Sequence, residues 1–291
     1  RKSPMTERPL TFIHMTDLHV NAPGVEDDML FSETRDTLRR TLAEIARMEQ
    51  KPDFIVASGD LTNHGEPEAY RTVASIMDEA GLDLPVIYAL GNHDRREGFA
   101  EGFPALYSDP SKPYDHDTVI GGLHVIVLDS SVPDEIGGFW EAGQVDWLKA
   151  RLAEHADLPK LLVMHHAPMI DLTAGEMEWE SLSRVATEEL RQAIEGVNVV
   201  GILSGHVHMD RVAQWHGVPV VIGTGHHAGT DVVALPGAFN MLDATGFAVG
   251  TLYPSGLQVT FVAHPQTREV RHTLDMQRIL DFIEARKTAA E

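Results

Sequence analysis

Five short apolar runs in this chain each end in side chains that bind cations, and this recurrence narrows the folds open to it. The runs are Leu10 to Met15, Asp53 to Ala57, Pro85 to Leu90, Lys160 to Met164 and Val197 to Leu203, and each reads as a strand. Directly after them stand Asp17 and His19, Gly59-Asp60, Gly91-Asn92-His93-Asp94, His165-His166, and Gly205-His206-Val207-His208. Helical spacing fills the intervals: about Glu33 to Gln50, a helix opening near Glu66-Pro67, about Glu141 to His155, and about Leu182 to Glu195. A further strand reads at His124 to Leu128. After His208 come closely spaced strands at Val212 to Trp215, Val218 to Ile222, Gly246 to Tyr253 and Leu257 to Val262. The pattern implies an α/β protein of two sheets packed face to face with helices outside. Such sheets carry ligands on loops at the C-terminal ends of strands.

Composition sets limits on function. The 291 residues carry 44 Asp+Glu against 23 Lys+Arg, a formal charge of −21, which opposes a partner made of nucleic acid or an anionic membrane surface. The absence of cysteine removes disulfides, thiolate ligands and a cysteine nucleophile, and mildly favours the cytoplasm. No run approaches the roughly 20 apolar residues of a membrane span, and the N-terminus lacks the apolar segment of a signal peptide. Arg1 to Pro4, ahead of Met5, are set aside as a cloning remnant. With no repeat and no long linker, a single main domain is expected.

Any one D-x-H or H-x-H is weak among 16 histidines. Five such elements at five strand ends are different, because burying that many ionisable groups is costly without a cation to pair them. Carboxylate, carboxamide and imidazole donors without thiolate suit Mn²⁺, iron, Co²⁺ or Zn²⁺ better than Mg²⁺ or Ca²⁺. The seven candidates, Asp17, His19, Asp60, Asn92, His165, His206 and His208, are too many for one first-row ion. They match two ions sharing a bridging carboxylate, for which Asp60 is the natural choice. Water held between two such ions deprotonates near neutral pH and becomes a nucleophile toward phosphorus.

The ordered set Asp17-Leu18-His19, Gly59-Asp60-Leu61-Thr62, Gly91-Asn92-His93-Asp94, His165 and Gly205-His206-Val207-His208 resembles the signature of the calcineurin-like metallophosphoesterases. The text from Gly59 through Tyr70, the Leu128-Asp129-Ser130 strand end and the His165-His166-Ala167-Pro168 turn resemble one subgroup in particular. That subgroup comprises class III cyclic nucleotide phosphodiesterases and bacterial glycerophosphodiesterases. One departure is Ala167, where the family usually has a proline. The resemblance implies a four-layer αββα sandwich of two mixed β-sheets flanked by helices, with a catalytic domain over residues 5–265. It also implies two divalent metal ions, most readily manganese or iron, with zinc or cobalt as alternatives. Asp17, His19, Asp60 and His208 would hold one ion, and Asp60, Asn92, His165 and His206 the other. His93 would face the leaving-group oxygen, and Asp94 would either orient His93 or serve the turn.

Other residues are candidates for substrate contact. Asn63 and His64 lie just beyond Asp60, Arg95 and Arg96 follow the G-N-H-D element, and His226-His227 follow Gly223-Thr224-Gly225. His166 reads as a supporting histidine beside His165. From Arg271 to Lys287, Leu274, Ile279, Leu280, Phe282 and Ile283 suggest an amphipathic helix in a 266–291 extension, docked on the body or forming a homodimer contact. The resulting expectation is a dinuclear phosphodiesterase opening 3′,5′-cyclic nucleotides through a metal-bound hydroxide, in the cytoplasm, with neither nucleic-acid polymer nor membrane as partner. Two alternatives stand beside it: a glycerophosphodiesterase or broad small-diester phosphodiesterase, and a noncatalytic metal-binding scaffold.

Overall fold

In the first two strands, successive apolar side chains enter different cores, which sets the layering. The computed structural model describes residues 8–27, 30–172, 178–235, 237–275, 277 and 281. Phe12 of β1 (Leu10–Met15) and Phe54 and Val56 of β2 (Phe54–Ser58) enter one core. Their neighbours Ile13, Ile55 and Ala57 enter another, as the period of two requires. β3 (Val86–Ala89) runs parallel to β2, while β12 (Gly246–Tyr253) and β13 (Gly256–Ala263) return antiparallel. The sheet order is β13-β12-β1-β2-β3.

The second sheet is built from β4 (His116–Ile120), β5 (Leu123–Val127), β6 (Lys160–Val163), β7 (Val199–Ser204), β8 (Arg211–Trp215) and β9 (Val218–Ile222). Their order is β4-β5-β6-β7-β9-β8, and β5, β6, β7 and β9 are parallel. Val125, Val127, Leu161 and Leu203 of this sheet close on Phe12, Phe54 and Val56 of the first, where the two Phe rings stack at 5.3 Å. Outside the first sheet lie α1 (Thr34–Arg47) and α2 (Pro67–Glu79). α1 buries Leu38, Leu42 and Ile45 on one stripe, and α2 opens with Pro67, whose missing N–H costs nothing in a first turn. After the short α3 (Arg96–Gly102), α4 (Gln144–Glu154) and α5 (Arg184–Ala193) cover the second sheet through Leu148, Leu152, Ala186 and Leu190. The expected αββα order is the observed one.

The strands after His208 divide between the sheets: β8 and β9 complete the second, whereas β12 and β13 cross to the first. One feature departs from the sequence reading. The helix expected from Arg271 gives way at its start to β14 (Val270–Leu274), which pairs with β11 (Phe239–Leu242) in a small sheet completed by β10 (Gly229–Thr230). Leu274 therefore sits opposite Phe239 in a ladder, so a boundary at residue 265 would cut β14 away from its partner. Pairing overrides helical spacing here because Val270, His272 and Leu274 also satisfy a period of two. Ile279, Leu280, Phe282 and Ile283 lie outside the described residues. No described helix is long and apolar enough to cross a membrane.

Candidate metal centre

The parallel strands of both sheets deliver their C-terminal ends to one edge, where tight turns aim the polar side chains inward. Asp17, His19, Asp60, His206 and His208 all adopt left-handed backbone, with φ of 48°, 44°, 49°, 76° and 50°. Among the described residues these make up five of nine non-glycine positions with positive φ. Such conformations are unfavourable for L-residues and persist only when neighbours enforce them. Main-chain hydrogen bonds do so: Asp17 N–H donates to Gly59 O (3.0 Å), His19 N–H to Asp60 O (2.9 Å), and Gly205 N–H to His165 O (3.0 Å). Two motif glycines permit the close approach, since a Cβ on Gly91 would lie 2.2 Å from Asp60 Oδ1 and one on Gly205 2.4 Å from Asp17 Oδ2.

The tautomer of each imidazole follows from its backing. A carbonyl oxygen only accepts, so Nδ1 of His165 must donate to Ser58 O (2.9 Å) and Nδ1 of His208 to Ala228 O (3.0 Å). By the same logic His206 Nε2 donates to Trp179 O at 2.6 Å. His19 Nδ1 donates to the Asn63 carboxamide oxygen at 3.1 Å. In each neutral ring the opposite nitrogen is then a lone pair, and every one of these lone pairs faces another acceptor. His19 Nε2 and His208 Nε2 are 3.2 Å apart, and His208 Nε2 is 3.3 Å from Asp17 Oδ1. His165 Nε2 is fully buried without a hydrogen-bond partner, 3.2 Å from Asp60 Oδ2. The same Asp60 oxygen is 3.6 Å from His19 Nε2, and His206 Nδ1 is 2.9 Å from Asn92 Oδ1. Acceptors converging on acceptors in a buried site require positive charge between them. The donor set fits divalent cations, and Asp60 Oδ2 lies between its two halves.

Ionisation follows the same geometry. Burial raises the Asp17 carboxyl above its ordinary range. Burial also opposes charge on Asp60, but the charges of His165 and His93 outweigh it and hold that carboxyl well below its ordinary range. Burial opposes charge on His165 too, but the Asp60 charge 3.2 Å away outweighs it and pushes this ring up to about 9, so without a cation beside Asp60 a proton on His165 supplies the positive charge that carboxylate demands. Burial lowers His206 to about 3 and holds His19 well below the ordinary histidine value, leaving both rings neutral.

The rim places the remaining candidates. His93 is exposed, its Nδ1 donates to the main-chain oxygen of Asn63 (2.9 Å), and one of its ring nitrogens lies within 4.8 Å of donor atoms of His19 and Asp60. Asp94 makes no such bond to His93: it accepts from the N–H groups of Leu61 (3.0 Å), Thr62 (3.1 Å) and Gly91 (2.9 Å) and from the Tyr70 hydroxyl (2.9 Å). It thus fastens the Asp60 loop to the loop after β3, and burial followed by the Asp60 charge raises it to about 6. Asn63 is buried, with its carboxamide oxygen on His19, while His64 is exposed and bonded to Asp27 at 2.6 Å. His166 has both ring nitrogens engaged, on Ser130 Oγ and Ile136 O at 2.9 Å each. Arg96 is clamped by Asp129 (2.8 Å) and Glu141 (2.6 Å), whereas Arg95 lies exposed on the lip of a cavity of about 350 Å³ beside His93. His227 Nε2 accepts the Phe31 N–H at 3.3 Å, and its ring lies 5.1 Å from His19 and 5.5 Å from His208. Asp27, Phe31 and Trp179 escaped the sequence reading because they lie in loops or a short 3-10 turn with no motif. Only their three-dimensional neighbours reveal them.

Residues 10–210 match the family described as calcineurin-like phosphoesterase. A probable cyclic nucleotide phosphodiesterase of Rhodococcus erythropolis is 35% identical over 75% of this chain and 71% of its own length. A cAMP/cGMP dual specificity phosphodiesterase of Mycobacterium tuberculosis is 31% identical over 83% of this chain and 76% of its own. The structure of a purple acid phosphatase from yellow lupin superposes over 94% of this chain with a TM-score of 0.66 at 14% identity. This chain spans 54% of that protein, and the likeness concerns the fold.

Proposed function

This chain belongs to the calcineurin-like phosphoesterase family and is a hydrolase of phosphoric esters, and we propose that it opens 3′,5′-cyclic nucleotides at a dinuclear metal centre. The observation that carries the metal reading is the convergence of ring nitrogens and carboxylate oxygens around Asp60 Oδ2. Asp17, His19, Asp60 and His208 would hold one ion, and Asp60, Asn92, His165 and His206 the second. Imidazole, carboxylate and carboxamide without thiolate favour manganese or iron in these positions. When bound, the ions supply positive charge toward the phosphoryl oxygens and acidify water. The cyclic substrate is supported by the names of the two bacterial relatives, at 35% and 31% identity.

The chain's own residues supply the rest. His93, whose Nδ1–H is held by Asn63 O, would present Nε2 to the departing ribose oxygen; as the imidazolium it gives up its Nε2 proton to that oxygen and is left as the Nδ1–H tautomer. His227, whose Nε2 accepts the Phe31 N–H, lies beside His19 and His208 at the edge of the site where substrate would enter. The cavity bounded by Asn92, His93, Arg95 and Ser131 has room for the nucleoside. A noncatalytic scaffold has no need of an exposed His93 lining such a cavity. The test is turnover of cAMP and cGMP by Mn²⁺-loaded protein, beside a glycerophosphodiester and a chelated control. Cyclic nucleotide opening that stops on chelation is the expected result. Faster turnover of the glycerophosphodiester would overturn the substrate assignment, and turnover unaffected by chelation would overturn the metal one.

A further inference from the structure

The carboxamide of Asn63 has two ends that differ chemically but hardly in shape, so something must decide which one meets His19. Asp27 makes that choice. Its Oδ2 is 2.7 Å from Asn63 Nδ2, and a carboxylate only accepts, so the NH₂ end is drawn to Asp27 and the oxygen is turned to His19 Nδ1 at 3.1 Å. His19 Nδ1 must then carry the proton, and Nε2 is left as the lone pair that faces His208 and Asp60. The same Asp27 oxygen receives His64 Nε2 at 2.6 Å, which ties the rim loop to the Asp60 loop. His93 is served differently, since its partner is the main-chain oxygen of Asn63, which no side-chain rotation can reverse.

We infer that Asp27 is a positioning residue for the metal centre, acting through the Asn63 carboxamide to fix the tautomer of His19. The inference rests on the proposal that His19 is a metal ligand. Partners of this kind, behind a ligating histidine, typically govern metal affinity by 10- to 100-fold. With Asp27 truncated, either amide end can face His19, and a fraction of rings would place the proton on Nε2, where it blocks coordination.

The experiment reads imidazole ¹⁵N resonances of the metal-free protein, followed by Mn²⁺ titration, for the wild type, Asp27→Ala, Asp27→Asn and Asn63→Leu. Wild-type His19 is expected as the Nδ1–H form. Asp27→Ala should mix in the Nε2–H form and weaken Mn²⁺ binding about 10- to 100-fold. Asp27→Asn, which keeps an acceptor toward Asn63, should restore both. His93 should stay Nδ1–H throughout and serves as an internal reference for an intact fold. An unaltered His19 tautomer with unaltered Mn²⁺ affinity in Asp27→Ala would overturn the inference. If Asp27→Ala does not fold, Asn63→Leu decides in its place: loss of the Nδ1–H preference supports the inference and its retention overturns it. A wild type that binds no Mn²⁺ would defeat the metal reading, while the tautomer comparison still decides what Asp27 does to His19.

Discussion

On the floor of the site, His165, His206 and His208 each lean on a main-chain carbonyl, whereas at the roof His227 leans on rings. Phe31 stacks on His227 at 5.4 Å and on His272 of β14 at 5.3 Å, with interplanar angles of 17° and 16°. A carbonyl dictates where a proton sits, and it belongs to backbone locked in a sheet or a turn. A ring stack dictates a plane and leaves sliding freedom. The difference teaches that the floor is built to impose charge and the roof to accommodate a ligand.

Substitutions can break that division, beginning with the floor. Asp60→Ala removes the oxygen shared by both halves and should lower kcat/KM by about 10⁴-fold or more, with both ions lost together in metal analysis. Loss of only one ion would show that the halves are independent. His93→Ala stands between floor and roof. It should keep both metals and lower kcat by about 10²–10⁴-fold, and a missing ion would make His93 a ligand instead. At the roof, Phe31→Ala should raise KM about 2- to 10-fold with kcat little changed, since aromatic pairs contribute about 0.5–1.5 kcal/mol. A kcat loss equal to that of His93→Ala would erase the contrast.

The smallest effect lies beneath the rim. Asp115 accepts from Asp129 N–H at 2.8 Å and from Gln144 Nε2 at 2.9 Å, and burial pushes its carboxyl up to about 7. The folded form therefore holds a proton that the unfolded form has released above about pH 4. Asp115 supports stability fully below that value, and its contribution is lost as pH rises through 7. Asp115→Asn should flatten this part of the stability profile in denaturant titrations between pH 4 and 7. An unchanged slope would place the raised group elsewhere.

The floor was legible in the sequence because geometry leaves little choice there. Apolar runs ending in Asp17, Asp60, Asn92, His165 and His206 can only be strands with polar ends, and the sheets bring those ends together. The roof was not legible. β14 was read as the beginning of a helix because Leu274 fits both periods, and only pairing with Phe239 decides between them. Asp27 carries no signal of its own in sequence, since its meaning depends on a carboxamide 36 positions away. Asp94 stands inside the G-N-H-D element, yet its partners are backbone amides of the neighbouring loop, which a motif does not name.

The central claim is that Asp60 Oδ2 lies between two cations. Anomalous diffraction from a crystal grown with Mn²⁺ tests it most directly. Two peaks roughly 3.5–4 Å apart flanking that oxygen are expected, one beside His19 and His208 and the other beside His165 and His206. A single peak, or a pair that does not share Asp60, would contradict it.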